Sequence, residues 1–395
     1  MPKPEQDFSK PEQPNKKPEQ IKIALVCDWL TNIGGAEKVL KSLHDMYPSA
    51  PIYTSKYDKK GIAWFRDADV RTGWLQIFPT CFRRFLGPLR QSYFSHLDLS
   101  SYDIIISVTG AEAKAVKKGN AIHICYCHVP TQYYWQMYDE YLKNPGFGIL
   151  NPLVRFFFKL FVKPLRKKDY KSAQIPDYFI TISSYAQGLI KTYYGRESRV
   201  IYPPVDVENF IKKPEKGNYS PRGDNMIITS RQVTWKKIDL AINACKKNNW
   251  PLTIIGEGPE HKNLMKLAGS SPFITFKPLM DRDELKKELA SAKAYIFPSL
   301  EPFGIAPVEA LASGCPVIAF GQGGALDYVI DGENGVLFGK QNTASLSQAL
   351  KKFSKMNLSE RKIIQSSLPF DEKYFQTKIR RFVDACIEIK HKKQK

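Results

Sequence analysis

No stretch of this 395-residue chain approaches the roughly 18 consecutive apolar residues that a membrane-spanning helix requires. The N-terminus also lacks the apolar core of a signal peptide, so a cytosolic protein is expected. Cysteine is sparse: seven are present, several inside apolar strand-like runs, which fits reduced buried thiols and not a disulfide framework. Cys125, Cys127 and His128 fall close together, but C-x-C without a second pair is poor zinc spacing. Asp67-Ala68-Asp69 and Asp281-Arg282-Asp283 do not end a buried strand beside a glycine loop, as a metal-dependent Asp-x-Asp site would. No metal and no cofactor is therefore expected. Acidic residues are also short, 39 against 59 Lys and Arg, and the net charge of +20 calls for an anionic partner. Nucleic acid is disfavoured, because the aromatics gather around one basic helix and not on a basic sheet. A phosphorylated substrate and an anionic lipid surface remain.

What is present is enough for two cores: 395 residues with 43% hydrophobic and 12% aromatic content. Residues 1–20 repeat a Lys-Pro-Glu-Gln theme without apolar periodicity and read as a disordered tail. The densest signal is Tyr295 to Gly324, YIFPSLEPFGIAPVEALASGCPVIAFGQGG. An apolar strand, Ala294 to Phe297, breaks at Pro298 into a loop carrying Glu301, Phe303, Gly304 and Ile305. Pro307 suits the first turn of a helix, where its missing N–H is unpaired in any case. Ser313-Gly314 ends that helix, Cys315 to Phe320 is the next strand, and a glycine loop follows. This is half of a doubly wound α/β domain, whose ligands lie at the strand C-terminal ends. Seven residues separate Glu301 from Glu309, which lets the two carboxylates reach opposite ends of one extended polar ligand. The amides of Phe303, Gly304 and Ile305 precede the helix and form an anion site. The plain alternative is a surface glutamate plus a helix-start glutamate favoured by the macrodipole.

Earlier in the chain, Ile21 to Cys27 reads as a strand, followed by Gly34-Gly35 and a helix with Ala36, Val39, Leu40 and Leu43 on one face. Strands follow at Ile104 to Val108, Ile122 to Tyr126 and Tyr178 to Ile182, the last before the helix Tyr185 to Tyr194. In residues 151–171, NPLVRFFFKLFVKPLRKKDYK, the cations Arg155, Lys159, Lys163 and Arg166 form a helical stripe. Phe156 and Phe157 belong to the apolar remainder, and Pro164 is expected to kink or end the helix. A basic stripe on an aromatic body suits an anionic membrane interface, the alternative being a core helix whose lysines reach solvent. Arg83, Arg84 and Arg90 would extend the same face. Lys212 to Asn225 reads as an interdomain linker. After the strand Met226 to Ser230, Arg231 and Lys236 are spaced to converge on a diphosphate, the one as a fork and the other as a point charge.

The combination of Arg231, Lys236, Glu301 and Glu309, in this order and spacing, resembles the donor site of retaining glycosyltransferase family 4. The resemblance runs over roughly residues 21–390. It implies the GT-B fold: two Rossmann-like α/β domains (21–211 and 226–370) facing across a cleft, a linker at 212–225, and a C-terminal helix and basic tail (371–395) crossing back to the first. It implies that Glu301 contacts sugar hydroxyls and Glu309 the nucleotide ribose. GGAEKVL, with Gly34 and Gly35, would lie against the donor diphosphate, Gly256 close to the nucleotide, and Leu279 and Met280 would hold the base. His128, Pro130 and Tyr133 resemble a His-x-Pro-x-Arg-Tyr segment of the bacterial polysaccharide and O-antigen mannosyltransferase branch, with Gln132 in place of its arginine. His128 would then lie near the transferred sugar. The expected reaction is metal-independent hexosyl transfer with retained configuration, from GDP-mannose or alternatively from UDP-glucose or UDP-N-acetylglucosamine. The acceptor would be a glycan or lipid-linked hydroxyl at the inner face of the cell membrane. The contrasting expectation is an inactive scaffold with the same fold.

Overall fold

A computed structural model describes residues 21–80, 86–143, 145, 148–214, 219 and 221–394. The expected tail at 1–20 and the cations Arg83 and Arg84 lie outside the described residues. The chain divides into two compact units, one formed by residues 1–182, 186–203 and 375–395, the other by 183–185 and 204–374.

The first unit holds a seven-stranded parallel sheet, β1 (Ile23–Cys27), β2 (Ile52–Thr54), β3 (Val70–Thr72), β4 (Ile104–Thr109), β5 (Ile122–Cys127), β6 (Tyr178–Thr181) and β7 (Arg199–Val200), in the order 3-2-1-4-5-6-7. Its helices are α1 (Gly35–Met46), α2 (Gly87–His96), α3 (Tyr138–Lys143), α4 (Asn151–Ser172) and α5 (Ser184–Tyr194), of which α5 straddles the division between the units. The central strands β4 and β5 are buried throughout, as expected where helices cover both faces of a parallel sheet. That is why they appear in the sequence as unbroken apolar runs and not as alternation.

The second unit begins with the one-turn α6 (Val207–Phe210) and holds six parallel strands: β8 (Met226–Thr229), β9 (Leu252–Ile255), β10 (Ile274–Lys277), β11 (Ala294–Phe297), β12 (Val317–Phe320) and β13 (Gly335–Phe338). Their order is 10-9-8-11-12-13. The helices are α7 (Ile238–Asn248), α8 (His261–Ala268), α9 (Arg282–Ser291), α10 (Ile305–Ala312), α11 (Thr343–Phe353) and α12 (Glu360–Ser367). Asp281 caps α9, its carboxylate accepting from the Glu284 amide at 2.8 Å. The last helix, α13 (Glu372–Gln394), belongs from Phe375 onward to the first unit, where Phe375 meets Tyr126 and Phe382 meets Tyr178 edge-on. Both sheets are doubly wound. Strand order reverses between β1 and β4 in one and between β8 and β11 in the other, which places a crevice at those strand ends.

Two expectations are corrected here. The segment 212–225 does not lie between the units but within the second. Lys212 pairs with Glu360 at 2.9 Å, and Arg222 donates to the carbonyls of Leu289, Ala292 and Ser313. Lys212 and Arg222 are therefore spent on the second unit itself. Pro164 does not end α4, which continues to Ser172. The carbonyl that loses its partner is that of Leu160, on an exposed flank where water can satisfy it. Among the described residues, no helix is long and apolar enough to cross a membrane.

Candidate functional site

At the switch point of the second unit, β8 and β11 run side by side, with Tyr295 opposite Ile227. Their C-terminal ends carry the segments Ser230–Lys236 and Pro298–Ile305. Between them is a hollow of about 320 Å³, counting its open mouth, lined by Thr229, Ser230, Lys236, Ser299, Glu301 and the start of α10. Its floor is tied by the buried Tyr295, whose hydroxyl donates to the Thr229 carbonyl at 2.8 Å. Burial pushes that phenol well up, so it stays a neutral donor.

Lys236 and Glu301 meet in this hollow. The Lys236 Nζ stands 2.6 Å from Glu301 Oε1, with both side chains about one-fifth exposed. The same carboxylate oxygen accepts from Ser299 Oγ at 2.6 Å. Lys236 ends a short 3-10 turn, Thr234–Lys236, and Lys237 enters α7 in a left-handed conformation with φ of 53°. That costs a non-glycine residue about 1 kcal/mol or more, and it turns the chain sharply just after the cation.

The loop bearing Glu301 is pressed against the glycine loop after β12. The Gly324 amide donates to the Glu301 carbonyl at 2.8 Å, and a Cβ on Gly324 would lie 2.3 Å from the Pro302 carbonyl oxygen. Only glycine fits there. Gly304 caps α10 with φ of 101°, and any Cβ would collide with Phe297 and the Tyr328 hydroxyl. Tyr328 in turn donates to the Phe303 carbonyl at 2.9 Å. The first amides of α10, at Ile305 and Ala306, therefore open on the same hollow as Lys236, and a helix N-terminus with a cation beside it suits an anion.

The other expected residues are placed as follows. Arg231 is exposed, on the segment that leads to Lys236, and its guanidinium has no hydrogen bond among the described residues. Glu309 is on α10, 7% exposed, and does not line the hollow. Phe303 is packed on Tyr328 and Phe370 and does not line the hollow. Leu279 is 79% exposed after β10, with Met280 next to it half-buried. Gly256 has φ of 119°, and its missing Cβ makes room for the Ser230 carbonyl, 2.4 Å away. Its smallness thus serves the approach of one loop to another. Ser299 and the supporting pair Gln232 and His261 were not singled out from the sequence; a serine directly after the strand-ending Pro298 was the available signal.

In the first unit, α1 starts at Gly35 with Gly34 as its extended cap, as the glycine pair suggested. At the switch point between β1 and β4, Asp28 accepts from Thr109 Oγ1, the Gly110 amide and the Ala113 amide at 2.8–3.0 Å. Burial, reinforced by Glu112, raises that carboxyl, while the Ala113 and Gly110 amides act against the rise. The following residues are equally tied down. Glu112 holds Arg90 at 2.9 Å and accepts from the Tyr133 hydroxyl at 2.6 Å. Lys114 pairs with Asp169 at 2.7 Å. Burial opposes the Lys114 charge, but Asp169 together with Tyr194 and Cys127 offsets this, and the Lys114 pKa stands well above the ordinary lysine value. His128 follows β5; burial lowers its imidazole to about 4, and its Nε2 has no partner among the described residues.

Two basic-face expectations are corrected. Arg90 is buried, 5% exposed, in its pair with Glu112 and over the Trp29 ring. On α4, Arg155 and Arg166 turn back to the protein. Arg166 donates to the Tyr134 carbonyl at 2.5 Å and stacks on Trp135 and Tyr138, while Arg155 donates to the Lys143 carbonyl. For Arg166, a carbonyl and two aromatic faces take the place of water around the guanidinium. The outward face of α4 is Phe156, Phe157, Lys159, Leu160, Phe161 and Lys163, with Phe156 63% exposed.

Comparisons with known proteins bear on the fold and on the second unit. Residues 210–367 match the family described as Glycosyl transferases group 1. The chain is 26% identical over 381 residues to the alpha-1,3/1,6-mannosyltransferase alg2 of Schizosaccharomyces pombe, covering 80% of this chain and 70% of that protein. It is 30% identical over 169 residues to a D-inositol 3-phosphate glycosyltransferase of Mycobacterium sp., covering 38% of each. Among solved structures, Anabaena Alr3699/HepE in complex with UDP superposes with a TM-score of 0.68 at 19% identity, over 92% of this chain and all of that one. Sucrose-phosphate synthase from Thermosynechococcus elongatus gives 0.69 at 16% identity, over 94% of this chain and all of that one. The chain thus has the GT-B fold, and residues 210–367 of its second unit resemble the glycosyl transferases of group 1.

Proposed function

We propose that this protein transfers a hexosyl group from a nucleoside diphosphate sugar to an acceptor hydroxyl with retained anomeric configuration. The observation that carries the reading is the meeting of Lys236, Glu301 and the α10 N-terminus in one hollow at a strand switch point. A donor there would set its diphosphate against Lys236 and the Ile305–Ala306 amides, with Arg231 reaching it from the neighbouring loop. Glu301 would accept hydrogen bonds from the sugar hydroxyls, and Glu309 from the ribose.

In the reaction the bond between the anomeric carbon and the diphosphate oxygen breaks. The acceptor oxygen bonds that carbon on the same face, and the hydroxyl proton passes to the departing phosphate oxygen. Fixed cations and amides aimed at the charge developing on the leaving group supply the stabilisation, each good donor contributing about 3 kcal/mol. On this reading the chemistry asks for no metal, and turnover should persist in chelator.

GDP-mannose is the donor favoured by the mannosyltransferase relatives. UDP sugars are the second reading, because structural neighbours are bound to UDP and UDP-glucose. The exposed Phe156–Phe157 and Leu160–Phe161 flank of α4, with Lys159 and Lys163 beside it, favours an acceptor presented at an anionic membrane surface. The deciding experiment is thermal shift with chelator present, against GDP, UDP, ADP and their sugar conjugates. Stabilisation by one diphosphate series, lost in Lys236→Ala, is expected and names the base. Silence across the whole panel would overturn the donor reading.

A further inference from the structure

We propose that Gln232 and His261 are positioning residues that fix the Arg231–Lys236 segment, and with it the point where its cations meet a diphosphate; this rests on the donor reading above. Gln232 is fully buried between two cations, where an apolar residue would fill the same space without desolvating an amide. Every polar atom it carries is used. Its side-chain nitrogen donates to the Gly256 carbonyl at 2.5 Å, and its carbonyl oxygen faces His261 Nδ1 at 2.8 Å. Its backbone amide donates to the Glu257 carbonyl at 2.8 Å, and its backbone carbonyl accepts from the Glu260 amide at 3.1 Å.

The directions of these bonds are not interchangeable. The Gly256 carbonyl can only accept, so the Gln232 nitrogen must face it and the oxygen must face the imidazole. His261 therefore carries a proton on Nδ1. Its ring is held edge-on against Phe276, with centroids 5.5 Å apart. The opposing loop leaves no slack, since a Cβ on Gly258 would lie 2.2 Å from the Gln232 carbonyl oxygen. Arg231 is exposed and has no side-chain partner of its own among the described residues. The point from which its side chain starts is consequently set by this backbone clamp, and misplacing a charge by 1 Å at a reacting group can cost about a hundredfold in rate.

The test compares the full-length protein with His261→Ala, His261→Asn and Gln232→Leu, each checked for an unchanged melting profile. Asparagine places an N–H where Nδ1 stood and should rescue; alanine should not. Affinity for GDP or UDP is expected to fall about tenfold in His261→Ala and Gln232→Leu, and to return within about threefold in His261→Asn. Affinity for the corresponding monophosphate should change less than about twofold if the clamp serves the second phosphate. Long-range proton–nitrogen NMR of the histidine rings should show His261 protonated on Nδ1. Equal loss in the alanine and asparagine variants, or parallel loss for mono- and diphosphate, overturns the positioning role. So does an Nε2–H tautomer in a protein that binds the diphosphate. If the wild-type protein binds no nucleotide, the donor reading falls, and the positioning role with it.

Discussion

Replacing Glu301 with glutamine should tighten the binding of a free nucleoside diphosphate while slowing transfer from the intact donor. In this hollow the Lys236 ammonium is taken up by Glu301 at 2.6 Å, and the carboxylate is further held by Ser299. An incoming diphosphate must displace that carboxylate from the cation and lie close to its negative charge. Glutamine keeps the shape and a hydrogen-bond acceptor but removes both obstacles. The pair is about one-fifth exposed, so its net contribution lies between an exposed ion pair and a charge-assisted buried hydrogen bond. That is about 1 kcal/mol after screening. GDP or UDP should therefore bind about fivefold more tightly to Glu301→Gln, and the gain should shrink with added salt. The sugar conjugate should gain less, because the carboxylate that its hydroxyls would meet is gone. Its turnover should fall by about two orders of magnitude. Isothermal titration with the diphosphate and with the donor, beside single-turnover transfer, reads all three quantities. Weaker diphosphate binding in Glu301→Gln, together with an unchanged affinity in Lys236→Met, would refute the placement of the phosphates in this hollow.

Three further outcomes follow from other parts of the molecule. Phe157→Ser with Phe161→Ser removes a stacked pair on the exposed flank of α4, and should release the protein from sedimenting anionic vesicles without changing its melting temperature. Binding that survives the double substitution would argue for a different face. Lys114→Met leaves Asp169 buried without its cation, held only by the neutral donors Thr131, Trp135 and Tyr194. Denaturant unfolding should show a loss of about 3 kcal/mol, whereas Lys159→Met on the exposed face of α4 should cost under about 0.5 kcal/mol. His123 is fully buried in β5, where desolvation lowers its imidazole to about 3. Protons then bind the unfolded chain first, so stability is complete above about pH 6.5 and drains as pH falls towards 3. His123→Gln should flatten that slope in melting curves taken from pH 7 to pH 4.

The strands were legible in the sequence because both sheets are parallel and covered on each face. Ala294 to Phe297 and Ile104 to Thr109 read as short apolar runs, and their ends at proline and glycine mark where the chain leaves the sheet. The glycines at 304 and 324 were equally visible, since a positive-φ turn and a close backbone contact each need a residue without a side chain. The motif cations and carboxylates stood out through the family resemblance of their order and spacing. What each of them touches could not. Lys236 and Glu301 lie 65 residues apart, and only the exchange of strand order between β8 and β11 brings them within one hydrogen bond. Arg90 and Arg166 read as surface charge from their helical neighbours, yet both turn inward, because Glu112 and the Tyr134 carbonyl reach them from other elements. Gln232 gave no sign of importance beside two cations, since its partners come from the loop after β9. Local sequence determines which segments can be strand, helix or tight turn, because those preferences are settled within a few residues. Which polar group answers which is decided by packing between segments distant in the chain, where burial makes every unpaired charge expensive.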